Sequence, residues 1–82
     1  MTTFIIIPTI GNHSKLNEEI PKRFGNDAII LPKGEWLIRY SGTSKQLSDD
    51  IGISTDSENS TIVLSTNGYW GRASKDIWEW LA

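Results

Sequence analysis

Cysteine is absent from the 82-residue sequence, and histidine occurs once, at His13. Without cysteine the chain can form neither a disulfide framework nor a thiolate metal site. A single histidine would need a cluster of carboxylates to complete a zinc site, and no such cluster shows ligand spacing. The sequence therefore predicts no metal and no other cofactor, and it fits a reducing compartment.

Long apolar runs and basic stripes are missing as well. The apolar run from Phe4 to Ile7 is far too short to cross a bilayer, and no positively charged segment precedes it. We therefore expect no signal peptide, no membrane partner and a cytoplasmic location. The net charge is −2, and the eight lysine and arginine residues form no basic stripe of the kind that nucleic-acid binders show.

Four short stretches of aliphatic and β-branched residues predict strands, at residues 3–9, 27–32, 35–40 and 61–66. The first has successive apolar residues, which indicates a central strand buried on both faces. Pro8 should weaken its pairing, because proline has no backbone N–H to donate. The second and third strands are close enough to form a hairpin.

Helices are predicted between these strands. Leu16, Ile20 and Phe24 form the apolar stripe of a first helix, which Ser14 would cap. Pro21 should kink or end this helix near Ile20. A second helix is predicted from a capping box, in which Thr43 precedes Gln46 by three residues. Leu47 and Ile51 give this helix an apolar side, and Gly52 is a natural stop.

This order predicts an α+β fold, a ferredoxin-like βαββαβ sandwich, over a single domain of residues 1–82. A Trp-rich C-terminal helix, capped by Ser74, is added to it. Three of the four tryptophans lie in the last fifteen residues, and such a tail must dock on an apolar surface. Either this tail or a second copy of the chain could cover the sheet face that points away from the internal helices.

Several short patterns carry a resemblance: the apolar first strand, Trp36–Ile38, the Thr43-Ser44 helix start, Ile62–Leu64 and the closing Trp80-Leu81. Together they resemble small ferredoxin-like bacterial proteins that are related in fold to the CRISPR-associated adaptation endonuclease and to VapD ribonuclease toxins. The resemblance implies metal-dependent nuclease chemistry, with an acidic metal ligand at the end of the first strand. Here that strand ends Ile7-Pro8-Thr9-Ile10 without a carboxylate, so the expected hard oxygen ligand is missing.

The segment from Gly68 to Arg72 is the strongest candidate for a binding site. Tyr69, Trp70 and Arg72 could stack on a base or grip an anionic group, or the segment could be a hinge that lays its rings into the core. Trp78 and Arg39 complete the predicted binding residues, and Arg39 could join Arg72, Lys33 and Lys75 in a weakly basic patch.

Other polar groups are better explained without chemistry. His13 and Ser14 are neighbours in sequence, which rarely places a base against a nucleophile, so we interpret them as a loop residue and a helix cap. Asp49 and Asp50 should point apart on a solvated helix face. The carboxylates Asp56 and Glu58 lie in a polar loop that lacks the ligand order of a calcium site.

These observations predict a non-catalytic protein-interaction module rather than an enzyme. Apolar sheet surface, tryptophan and arginine are the anchors that protein interfaces favour. The partner would be another protein or a second copy in a homodimer, and the resemblance suggests a phage- or defence-associated inhibitor or accessory factor. The alternative is a nucleic-acid-binding protein or a metal-dependent nuclease of the resembled fold, which the missing carboxylate disfavours.

Overall fold

The computed structural model describes residues 1–53, 59–68 and 71–82. Within these residues four strands and three α-helices follow one another. They are β1 (Thr2–Ile10), α1 (Ser14–Phe24), β2 (Ala28–Ile30), β3 (Trp36–Tyr40), α2 (Ser44–Asp50), β4 (Ser60–Thr66) and α3 (Lys75–Leu81). A short 3₁₀-helix, Gly25–Asp27, lies between α1 and β2. The fold is α+β, with one four-stranded antiparallel sheet.

The strands lie in the order β2-β3-β1-β4, so β1 is central, as its apolar sequence predicts. β1 pairs with β3 from Thr2 to Ile6 and with β4 from Thr3 onward. The register between β1 and β4 shifts between Pro8 and Ile10. This irregularity confirms the prediction that pairing weakens at Pro8, where the backbone donor is lost.

One sheet face carries the buried core, because residues directly opposite in antiparallel strands share a face. Phe4 lies opposite Ile38, and Ile6 lies opposite Trp36. α1 and α2 cover this face of the sheet, which we call the helix face, with their own buried side chains. The resulting cluster is Phe4, Ile6, Ile20, Trp36, Ile38 and Leu47. Burying each of these side chains stabilises the fold by about 1.5–3 kcal/mol.

Trp36 is the largest member of this core, and its polar atom is satisfied within it. The indole N–H donates to the side-chain oxygen of Asn17 on α1, over 2.9 Å. A buried indole N–H without a partner would be costly. The bond therefore fixes α1 against β3 as well as satisfying the ring.

The opposite face, which we call the open face, is apolar but less well covered. Ile5, Leu37 and Leu64 lie side by side on it, as do Ile7 and Ile62. Leu37 is buried, but Ile5 and Ile7 are only half-buried. The expectation that the first strand is buried on both faces is therefore wrong for this side, because α1 and α2 both pack on the other.

α1 departs from prediction at both ends. It continues through Pro21 to Phe24 instead of ending near Ile20, since Pro21 lies in the last turn and Phe24 still packs against the core. At the start, Ser14 is the first helical residue rather than the cap. The side-chain oxygen of Asn12 accepts the N–H of Ser14 at 2.9 Å and satisfies that free donor instead.

α2 begins as the sequence predicts. The Thr43 hydroxyl accepts the N–H of Gln46 at 3.1 Å, and the Gln46 side chain accepts the N–H of Thr43 at 2.8 Å. These reciprocal bonds form the capping box and confirm that prediction. The helix ends at Asp50, and Gly52 follows with a φ of +82°, the conformation that glycine favours after a helix.

Candidate functional site

Four neighbouring aliphatic side chains of β1 and β4 form an apolar surface on the open face of the sheet. Ile62 and Leu64 of β4 are 50% and 47% exposed. Ile7 pairs directly with Ile62, and Ile5 pairs with Leu64. We call these four residues the β4 patch. Because Ile5 and Ile7 are half-buried, the patch is a continuous surface rather than two isolated side chains.

Arg39 occupies the other side of the open face, where it holds the C-terminal helix. Its guanidinium carbon lies 4.1 Å from the ring centroid of Trp80, and its Nη2 donates to the carbonyl oxygen of Trp80. The indole N–H of Trp80 donates to the carbonyl oxygen of Asn26 at 3.0 Å. The cation–π contact and these hydrogen bonds dock the end of α3 beside β3.

Arg39 is therefore engaged in contacts within its own chain. Its Nη1 also lies 3.5 Å from the carboxylate of Asp27, a long and partly exposed ion pair. A guanidinium that is stacked on a ring and paired with a carboxylate presents less charge to a ligand. The prediction that Arg39 binds a partner stays a prediction.

The other predicted binding residues are not described together with Arg39. Tyr69 and Trp70 lie outside the described residues. Arg72 is exposed just before α3, and Trp78 is half-buried within that helix. The residue that contacts Arg39 is instead Trp80, which belongs to the Trp-rich tail that the sequence predicts to dock but is not one of the predicted binding residues. No local pattern marks this pair, since 41 residues separate its members.

The basic patch that the sequence allowed is partly neutralised. Arg39 pairs with Asp27, and Lys75 lies 3.6 Å from Glu79 one turn along α3. Exposed pairs of this kind contribute little to stability, but each lowers the positive potential around its own cation.

The acidic pair on α2 points in two directions, as predicted. Asp50 pairs with Arg23 of α1 at 3.0 Å, which ties the two helices together. Asp49 pairs with Lys45 along α2 at 2.9 Å. The hydrogen bond from Lys45 and the charge of Asp49 raise the pKa of that lysine. These carboxylates do not converge on one point, which a metal site would require.

The start of α3 shows how a predicted cap can hold its position but change its bond. Ser74 is the N-cap residue, but its hydroxyl donates to the Asp76 carboxylate at 2.5 Å instead of accepting a backbone N–H. That bond is the main cause of the lowered pKa of Asp76. A charged Asp76 in the first turn also suits the positive end of the helix dipole.

Across residues 1–53, 59–68 and 71–82, no group of three histidine or acidic side chains is placed to hold a metal ion. Over the same residues no helix has the length and apolar character needed to cross a membrane. His13 precedes α1, and its Nε2 is a buried atom without a hydrogen-bond partner among the described residues. The carboxylates Asp56 and Glu58 lie outside those residues.

No protein-family model matches the chain, and comparisons with curated proteins and with solved structures find no significant similarity. The resemblance to the adaptation endonuclease and to VapD toxins stays a prediction.

Proposed function

We propose that this chain is a non-catalytic protein-interaction module that binds through the β4 patch. The observation that carries the proposal is the exposure of Ile62 and Leu64, about half each, beside the half-buried Ile5 and Ile7. An antiparallel sheet with one solvated face normally alternates apolar-in and polar-out. Here four neighbouring outward positions are aliphatic instead.

The energetic argument follows from the cost of keeping this surface in water. Removing apolar area from water is favourable by roughly 25 cal/mol per Å². A partner that covers Ile62 and Leu64 would recover this free energy without any change in the core on the other face of the sheet. Contiguous apolar patches of this kind are typical of protein contact sites.

A protein partner suits the patch better than a nucleic acid does. The four side chains of the patch are uncharged, and Arg39, on the same face of the sheet, is paired with a carboxylate. Nucleic-acid affinity depends on free lysine and arginine that can meet phosphates. We therefore prefer the interaction module over the nuclease alternative.

We also propose that the fold is a ferredoxin-like sandwich. The strand order β2-β3-β1-β4 with antiparallel neighbours supports this, because a βαββαβ chain with split crossovers gives that order. We further propose that the chain acts as a phage- or defence-associated inhibitor or accessory factor, and that it does so in the cytoplasm. The cysteine-free composition is compatible with it.

The test compares two substitutions that remove similar exposed apolar side chains from different places. Leu64→Thr changes the patch, and Ile30→Thr changes a side chain of equal exposure, 47%, on the edge strand β2. Threonine keeps the preference for strand in both. Binding is read as self-association by sedimentation equilibrium and as capture of protein from a host lysate by the immobilised chain.

We expect Leu64→Thr to weaken self-association or capture by about tenfold, equivalent to about 1.4 kcal/mol. Ile30→Thr should bind as the unsubstituted chain does. The proposed function is wrong if both variants bind as the unsubstituted chain does. It is also wrong if the unsubstituted chain neither self-associates nor captures any protein whose binding Leu64→Thr abolishes.

A further inference from the structure

The outer edge of β4 points to the partner of this patch. Resting on the proposed function above, we infer that the partner is a second copy of this chain. The two β4 strands pair edge to edge, antiparallel, with Val63 on the two-fold axis. The pairing joins both β4 patches into one apolar surface on a continuous sheet.

β4 is the long edge of the sheet. It lies at one end of the strand order and has seven residues, whereas β2 at the other end has three. Among the described residues, no strand pairs with the outer side of β4. Its outward N–H and C=O groups therefore form a row of hydrogen-bonding groups that another strand can meet.

Proteins usually protect such an edge with charged residues, proline or a bulge. β4 runs Ser-Thr-Ile-Val-Leu-Ser-Thr from residue 60 to residue 66 and has neither a charge nor a proline. The single irregularity recorded in its pairing lies opposite Pro8–Ile10, at its first residue. The remaining length is regular and open to pairing.

The sequence of this edge is chemically symmetric about Val63. Reading outward, Ile62 matches Leu64, and Thr61 matches Ser65. The symmetry continues through Ser60 with Thr66 and through Asn59 with Asn67. A two-fold contact must be self-complementary, and an antiparallel pair centred on one residue brings these matched positions opposite each other.

Each of these pairings is a favourable cross-strand contact. Ile62 would pack against the partner's Leu64 on the open face, and aliphatic pairs of this kind stabilise antiparallel strands. Thr61 would face the partner's Ser65 on the helix face, where two hydroxyl groups can bond. Because the strand is uncharged, no like charges would meet across the axis.

Cysteine cross-linking tests this register, because the chain has no cysteine of its own. Symmetric pairing places the Cα atoms of Thr61 and the partner's Ser65 about 4.5–5.5 Å apart, within disulfide range. The two copies of Thr61 would be about 14 Å apart, which no disulfide can span. Thr61→Cys and Ser65→Cys are small changes that leave the patch intact.

We expect mild oxidation of an equimolar mixture of the Thr61→Cys and Ser65→Cys chains to give a disulfide-linked heterodimer. Each variant oxidised alone should stay at least tenfold less cross-linked, and Val63→Cys alone should form a homodimer. Mixing Ser60→Cys with Thr66→Cys repeats the test at matched positions outside the patch. Equal cross-linking by Thr61→Cys alone would overturn the register.

The outcome separates this inference from the proposed function. Suppose that the chain dimerises in solution and that Leu64→Thr abolishes the dimer, but that neither mixture gives a cross-link. The two copies then stack their open faces, and the edge pairing is wrong. A chain that is monomeric up to several hundred micromolar but captures another protein through the patch keeps the proposed function and overturns the second copy.

Amide exchange on the unsubstituted chain gives the same answer without relying on the fold of any variant. Edge pairing protects alternate amides of β4, those that point away from β1, and only at concentrations where the dimer forms. We expect their exchange to slow at least tenfold between dilute and concentrated samples. Exchange in β4 that does not depend on concentration would contradict the pairing.

Discussion

At the scale of single residues, two glycines show that one backbone conformation can have two purposes. Gly11 and Gly34 have φ values of +103° and +100°. A Cβ on Gly11 would lie 3.0 Å from the Cα of Asn59 and closer still to its side chain, whereas nothing lies within 4 Å at Gly34. Gly11 therefore permits a close approach of the β1 end to the start of β4, and Gly34 permits only a turn.

We predict that Gly11→Ala is more destabilising than Gly34→Ala. Both substitutions force an L-residue to a positive φ, at about 1–2 kcal/mol. Gly11→Ala should lose roughly a further 1–3 kcal/mol because the new methyl group overlaps Asn59. Urea unfolding followed by circular dichroism measures both, and equal losses would show that Asn59 moves aside freely.

Residue-level prediction from sequence succeeds where the cause is local. Alternation places Trp36 and Ile38 on one side of β3 and Arg39 on the other, and the register confirms it. The contact of Arg39 with Trp80 has no such local cause. It depends on where the C-terminal helix docks, which the tertiary structure decides.

At the scale of elements, α3 depends on a few contacts at its end. The described polar contacts that dock it run from Trp80 to Arg39 and Asn26. A seven-residue helix has little stability of its own in water. We therefore expect the order of α3 to depend on the guanidinium of Arg39.

Arg39→Met tests this dependence, because methionine keeps an apolar stem but removes the charge and the donors. The cation–π contact and a hydrogen bond together contribute on the order of 1 kcal/mol at a partly exposed site. Amides of Lys75–Leu81 should then exchange about fivefold faster, while those of the buried β3 change little. Lys33→Met, in the exposed turn between β2 and β3, is the matched control; faster exchange in both variants would rule out a specific role for Arg39.

The ends of a helix can be predicted from sequence only where the capping side chain has a single possible hydrogen-bond partner. The Thr43–Gln46 box is such a case, and α2 begins there. Ser14 and Ser74 each had a competitor: Asn12 takes the first free N–H of α1, and Asp76 takes the hydroxyl of Ser74. Pro21 failed as a stop signal because packing of the last turn of α1 outweighs one lost hydrogen bond.

At the scale of the whole molecule, the sheet separates a buried face from a face that is half in water. The sequence predicts an apolar first strand and two alternative coverings for the open face, the Trp-rich tail or a second copy of the chain. The structure places the end of the C-terminal helix beside Arg39 on that face and leaves Ile62 and Leu64 about half exposed. The patch could not be located from sequence alone, because the docking position of the C-terminal helix decides which part of the open face stays exposed.

Self-association through β4 should be nearly independent of salt. The paired strands are uncharged and the net charge of each chain is only −2, so screening removes little attraction and little repulsion. We predict that the dimer Kd changes by less than about threefold between about 50 mM and about 500 mM sodium chloride. Sedimentation equilibrium measures this, and a steep weakening with salt would indicate charged contacts or bound polyanion instead.

The unequal length of the two sheet edges limits how far such assembly can proceed. β2 has three residues, and Pro32 lies two positions beyond its end, so it offers little for another strand to add to. A contact that uses β4 on both chains would leave only these short edges at the ends of the combined sheet. We therefore expect the inferred pairing to close at two chains: the open edge that would nucleate a growing fibre in a sheet with two long edges would end here in a finite particle.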